Sequence, residues 1–109
     1  MKPTAHHIPD LLALMTDIPT DTIISRSLVN DERASITLFG FAAGQELSEH
    51  TSSYPAILHF LQGESDVTLG ADRHAAQPGS WAYLPPQLPH SIRARTPTIM
   101  LLTLVKAGT

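Results

Sequence analysis

The chain has no cysteine, and that removes disulfide bridges, thiolate metal sites and cysteine nucleophiles together. Histidine and carboxylate are left as the strong metal ligands. Aromatic residues are few, with one tryptophan, two tyrosines and three phenylalanines, so most of them are expected in the core. Positive charge is scarce as well: seven Lys and Arg stand against ten Asp and Glu, a formal net charge of -3. That balance argues against a nucleic-acid backbone or an anionic membrane as partner. No apolar run is long enough to span a bilayer, and the start Met1-Lys2-Pro3-Thr4-Ala5-His6-His7-Ile8-Pro9 lacks the uninterrupted apolar stretch of a secretory signal. The expectation is a cytoplasmic protein with one domain over 1–109, large enough for a single core.

What is present reads as an all-β chain preceded by a short helix. Residues 9–17, Pro-Asp-Leu-Leu-Ala-Leu-Met-Thr-Asp, hold good helix formers with Leu11, Leu12, Leu14 and Met15 on a broad apolar side, ended by Pro19. From residue 22 to 105 the pattern changes to short β-branched and aromatic runs punctuated by Gly, Pro, Asn and Asp, the signature of a sandwich or barrel. Strands are expected at 22–28, 35–42, 47–52, 56–61, around Val67 and Leu69, and at 81–84, 90–94 and 98–105. The last of these is apolar at Ile99, Met100, Leu101, Leu102 and Leu104, so both of its faces need cover. The helix or a second subunit can supply the outer cover, and the expectation is a homodimer.

Two segments carry chemistry. The first is Gly44-Gln45-Glu46-Leu47-Ser48-Glu49-His50-Thr51-Ser52, closing at Gly63; the second is Gly79-Ser80-Trp81-Ala82-Tyr83-Leu84-Pro85-Pro86-Gln87-Leu88-Pro89-His90. Together they resemble the two motifs of the cupin superfamily. The resemblance implies a small double-stranded β-helix, a jelly-roll barrel, in which three histidines and a glutamate converge on one divalent metal. Five residues separate Gly44 from His50, and five separate Gly79 from Pro85, as in that pattern. The sequence also departs from it: Ser52 and Ala56 stand where the second histidine and the glutamate belong, Gln87 replaces a glycine and Ala94 an asparagine.

His50 and His90 are therefore the expected metal ligands, for Zn, Fe, Mn, Ni or Cu, and a third ligand is wanted, because such sites generally take at least three protein groups. His59 is the candidate. Strict alternation from Ala56 turns it away from the site, so its use as a ligand requires a bulge in that strand, and its alternative is an interface histidine. Glu46 shares a face with His50 if its strand is regular and could then be a ligand or a general base, while Glu49 points the other way, as a surface charge or a partner to the site. His6, His7 and His74 read as surface residues.

The resemblance implies a metal centre acting on a small organic substrate, of dioxygenase or isomerase type, with Glu46 or Tyr83 available to move a proton; no catalytic residue is identified. The alternative is a non-enzymatic module that binds or senses a small ligand with weak or no metal, a reading that Ser52 and Ala56 favour. A third is a barrel serving dimerisation only. The fold does not choose among them.

Overall fold

The computed structural model describes residues 2–106. The short N-terminal helix is a single 3-10 turn, Leu11–Met15, narrower than its apolar pattern predicts. Asp10 caps it, its carboxylate accepting the N–H of Leu12 at 3.1 Å. With so few residues before Pro19 there is no length over which an α-helix could propagate.

Among the described residues nine strands follow: β1 Ile23–Asn30, β2 Ala34–Phe41, β3 Glu46–His50, β4 Ala56–Gln62, β5 Ser65–Leu69, β6 Asp72–Ala76, β7 Trp81–Leu84, β8 His90–Ala94 and β9 Thr98–Val105. They pair antiparallel into a five-stranded sheet, β1-β2-β9-β4-β7, and a four-stranded sheet, β3-β8-β5-β6. The order interleaves distant strands, as in a jelly roll. The β1–β2 hairpin is held by Asp31, whose carboxylate accepts the N–H groups of Arg33 at 2.8 Å and Ala34 at 3.0 Å. Those bonds, the one to Arg33 foremost, hold the Asp31 carboxyl below the usual carboxylate range.

The two sheets close on one core, in which Phe41, Leu58, Phe60, Leu84, Ile92 and Met100 are at most 2% exposed. Outside the larger sheet lies a second cluster, where Met15 of the 3-10 turn packs with Leu38 and Ile99. The β9 strand serves both: Met100, Leu102 and Leu104 face the barrel interior, while Ile99 and Leu101 face the outer cluster. That double role explains its near-continuous hydrophobicity. Gly40 makes the outer packing possible, since a Cβ there would stand 3.1 Å from Ile18 and 3.2 Å from the Met15 sulfur. Among the described residues no helix is long and apolar enough to cross a membrane.

The glycine that closes the first motif has a steric explanation. Gly63 has φ +85°, and a Cβ on it would run into the carbonyl oxygen of Pro97 and stand 2.8 Å from Thr98 Cα. Gly44 has φ +84° but open space around it. Gly44→Ala is therefore expected to cost only the left-handed strain, about 1 kcal/mol. Gly63→Ala adds a clash with rigid backbone and is expected to cost more than about 3 kcal/mol. Urea unfolding of the two variants checks the ranking; equal losses would contradict it.

Candidate functional site

A one-residue irregularity in β3 creates the site. Leu47 pairs with Ile92, but the next pair along the ladder is His50 with His90, so β3 has one more residue than β8 between these two steps. Such a bulge reverses the alternation beyond it. His50 thereby joins the face of Leu47, which packs against the core, and lies beside His90 with ring centroids 4.2 Å apart and planes inclined by 58°.

Both rings are held in the same way. The Nδ1–H of His50 donates to the Ser48 carbonyl at 2.7 Å and that of His90 donates to the Leu88 carbonyl at 2.9 Å, each two residues back. A carbonyl can only accept, so in the neutral rings Nδ1 carries the proton and Nε2 keeps its lone pair. That is the arrangement of a metal-binding histidine, in which a backbone carbonyl fixes ring orientation and tautomer. His90 is buried, at 5% exposure. Burial foremost, then the neighbouring His50, holds its pKa below the ordinary 6.5, against an upward pull from the Leu88 carbonyl.

The segment before His90 is set by prolines and by one uncommon backbone conformation. Gln87, at the position where the motif has glycine, adopts φ +68°, a left-handed conformation that costs a non-glycine residue about 1 kcal/mol. In it, the Gln87 N–H donates to the Ser52 carbonyl at 2.8 Å, and the Leu88 N–H donates to the Pro85 carbonyl at 3.4 Å. The corner is thus tied to the loop between β3 and β4, and Leu88 is placed to receive the His90 ring. Ser52, standing at the second histidine position, serves the loop itself, its hydroxyl oxygen accepting the Tyr54 N–H at 3.1 Å.

The pair opens into a cavity of about 420 Å³. Ala56, Leu102 and Leu104 give it apolar walls, and Thr51, Ser52, Ser53 and Tyr54 a hydroxyl-rich rim. Tyr54 was legible in the sequence only as part of a turn; its nearness to the histidines depends on how that turn folds back. Among the described residues no carboxylate lines the cavity. A crevice of similar volume, about 450 Å³, opens between β6 and β7 over Phe60, Val67 and Leu69, with His74 on its wall. Its lining holds a single histidine, so the His50–His90 cavity is the stronger candidate site.

The other candidates lie apart from this pair. The bulge that would turn His59 inward is not where it is needed: β4 alternates regularly from Ala56 to Phe60, and its irregularity against β9 falls between Phe60 and Gln62. His59 accordingly sits on the outer face, opposite Trp81 and Leu101. Glu46 precedes the β3 bulge and pairs with exposed Arg93, on the face away from Leu47, so it does not share a face with His50. Tyr83 is 51% exposed and pairs with Ile57 on the outer face. Glu49, His6 and His7 are exposed. Among the described residues no three His, Asp or Glu side chains are grouped to hold a metal; the donor set is two histidines.

A family model described as "Cupin domain" matches residues 37–106, and the chain belongs to that family. Its fold is similar to a cupin superfamily protein from Desulfitobacterium hafniense, with TM-score 0.85 and 25% identity over 96% of this chain and 94% of that one. It is also similar to a conserved protein of unknown function from Streptococcus pyogenes, with TM-score 0.83 and 28% identity over 95% and 93% of the two chains. An RmlC-like cupin from Shewanella frigidimarina shares the fold at TM-score 0.76 and 20% identity, over 84% and 81%. No curated protein matches the chain.

The lowered pKa of His90 has a consequence for stability. Between that lowered value and 6.5 the unfolded chain binds more protons than the folded one, so stability rises with pH across this window and is lost as pH falls through it. For chelator-treated protein, the urea midpoint is expected to drop as pH is lowered from about 7 to about 5, and His90→Gln to flatten the dependence. A parent midpoint that holds constant over that range would contradict it.

Proposed function

We propose that this chain is a cupin that holds a divalent transition metal through the Nε2 atoms of His50 and His90 and completes the coordination with a small organic anion. The observation that carries the reading is the pair of rings, each with Nδ1–H tied to a carbonyl, in contact above an apolar cavity. Two imidazoles fit a metal as part of its ligand set, and the remaining positions fall to water and to the bound molecule.

The kind of molecule follows from charge. Neutral imidazoles leave the whole +2 of the ion uncompensated, and among the described residues no carboxylate lines the cavity. A charge in a partly desolvated site is costly without a counter-charge. A carboxylate or enolate with a short apolar body satisfies both parts of the site, its oxygens on the metal and its body against Ala56, Leu102 and Leu104. The metal, when bound, would act as a Lewis acid toward such a ligand. The chain's own residues orient the two imidazoles, exclude water from one side and offer the hydroxyl of Tyr54 at the rim.

Elemental analysis of untagged protein tests the site. Near-stoichiometric metal is expected in the parent, at least a roughly tenfold loss of affinity in His50→Ala and in His90→Ala, and no change in His59→Ala, which lies on the other face. Metal retained in both single variants would sink the assignment. Competitive zinc titration with and without oxalate tests the anion: oxalate is expected to tighten zinc binding by about tenfold or more. Ala56→Glu, which places a carboxylate in the cavity, is expected to tighten zinc binding without oxalate and to remove most of the oxalate effect. A well-folded parent that carries no metal and takes up none would support the second reading, a metal-free module for small ligands, which Ser52 and Ala56 favour.

A further inference from the structure

The barrel is left open along one seam. Among the described residues β6 ends the four-stranded sheet and β7 ends the five-stranded one, and the two edges do not pair although a short turn joins them. The crevice of about 450 Å³ lies in this seam, a volume in the range of small-molecule sites. Its floor is core: Phe60 and Val67 are 2% and 3% exposed. Ala76 and Ala82 flank it from the two edges, and their small side chains leave the space between the sheets unfilled. His74 belongs to the inner face. The register sets it opposite Val67, two positions from buried Ala76, so alternation turns its ring into the seam.

The β7 edge supplies hydrogen-bonding groups to the same space. Phe60 N–H donates to the Ser80 carbonyl at 2.9 Å, and Gly79 N–H donates to the Phe60 carbonyl at 2.8 Å. Bonded pairs alternate along an antiparallel ladder, so the next bonds to β4 fall at Ala82 and Leu84. Trp81 and Tyr83 therefore turn their N–H and C=O groups toward the crevice they help to line. The Ser80 hydroxyl oxygen accepts the Gln77 N–H at 2.9 Å, which leaves its own hydrogen to donate. The other sheet edges are guarded. β1 carries Arg26 and an irregularity, β3 carries Glu46, Glu49 and its bulge, and β6 carries Asp72 and Arg73. By contrast β7, Trp-Ala-Tyr-Leu, has no charge, proline or irregularity against β4.

We propose that this seam is a second binding site, separate from the histidine cavity, for a flat neutral aromatic molecule with an amide or lactam edge. Each part of that description follows from the walls. Alanine on both sides of an apolar floor gives a slot, which a ring fills better than a branched chain. The lining holds no Asp, Glu, Lys or Arg among the described residues, so an ionised group would enter without a counter-charge. An edge residue of β7 offers an N–H and a C=O together, and a ligand with both an acceptor and a donor leaves neither unmet. The His74 imidazole, on the opposite edge, closes the slot and can donate or accept. A peptide strand fits less well, because only Trp81 and Tyr83 face the seam, between the Pro78-Gly79 turn and Pro85.

The probe is 2-quinolinone, a neutral bicyclic lactam, followed by backbone amide NMR on chelator-treated protein, which keeps the result independent of whether the histidine cavity takes zinc. Saturable shifts are expected at the Trp81, Tyr83 and His74 amides, with a Kd on the order of 1 mM, and none centred on His50 and His90. N-methyl-2-quinolinone keeps the ring and the carbonyl but loses the donor, and is expected to bind at least about threefold more weakly. Quinoline-2-carboxylate, which brings a charge, is expected to bind more weakly than the lactam as well. His74→Ala is expected to weaken lactam binding about threefold or more, and Ala82→Leu, which fills the slot, to abolish it. Because His74 is exposed, its variant and the N-methyl probe decide the matter without disturbing the packed side of β7. No saturable shift up to about 5 mM lactam, equal affinity for the N-methyl probe, or shifts centred on His50 and His90 would overturn the proposal. So would edge shifts that follow protein concentration rather than lactam, which would give the seam to a second copy of the chain.

Discussion

The site depends on one extra residue in one strand. Without the irregularity between Leu47 and His50, regular alternation would put His50 on the face opposite Leu47 and away from His90. With it, two strands distant in sequence deliver one histidine each to the same cavity. A bulge leaves backbone groups outside the ladder, and here the His50 ring recovers one of the nearby carbonyls, that of Ser48. The distortion and the orientation of the His50 ring are thus one feature of the backbone.

The rest of the fold braces that arrangement. The proline corner, bonded through Gln87 to Ser52 and turned through a left-handed residue, puts the Leu88 carbonyl where the His90 ring needs it. Gly63 lets the turn after β4 pass against Pro97 and Thr98, where the buried hydroxyls of Ser65 and Thr98 bond at 3.0 Å. Leu58, Leu84, Ile92 and Met100 fill the barrel between the histidine cavity and the crevice at β6 and β7. The candidate site is thereby confined to one end of a packed interior rather than to a through-going channel.

Much of this was legible in the residues themselves. Gly44, Gly63 and Gly79 stand at turns and all three have positive φ, so their spacing reported real backbone demands. The apolar run of β9 correctly implied burial on both faces. What could not be read was the position of bulges, because a strand's face pattern constrains the number of residues between two inward positions only weakly. Strict alternation turned His59 away, and its use as a ligand required a bulge in β4; the structure has the bulge that matters in β3, where it turns His50 inward and leaves Glu46 facing out. Trp81 and Tyr83 likewise alternate with Ala82 and Leu84, and alternation alone does not state which pair faces the core. Tyr54 lay in a segment with no periodicity, where only the folded loop reveals a neighbour.

The central claim is that His50 and His90 each present a bare Nε2 to the same ion. Long-range proton–nitrogen NMR of the histidine rings reads this directly, as each ring reports which nitrogen is protonated and whether it binds metal. At neutral pH, before metal is added, both His50 and His90 are expected to be protonated at Nδ1; one equivalent of zinc is expected to perturb Nε2 of both together and leave His59 unchanged. Protonation at Nε2 in either ring, or a zinc response confined to one of them, would contradict the account.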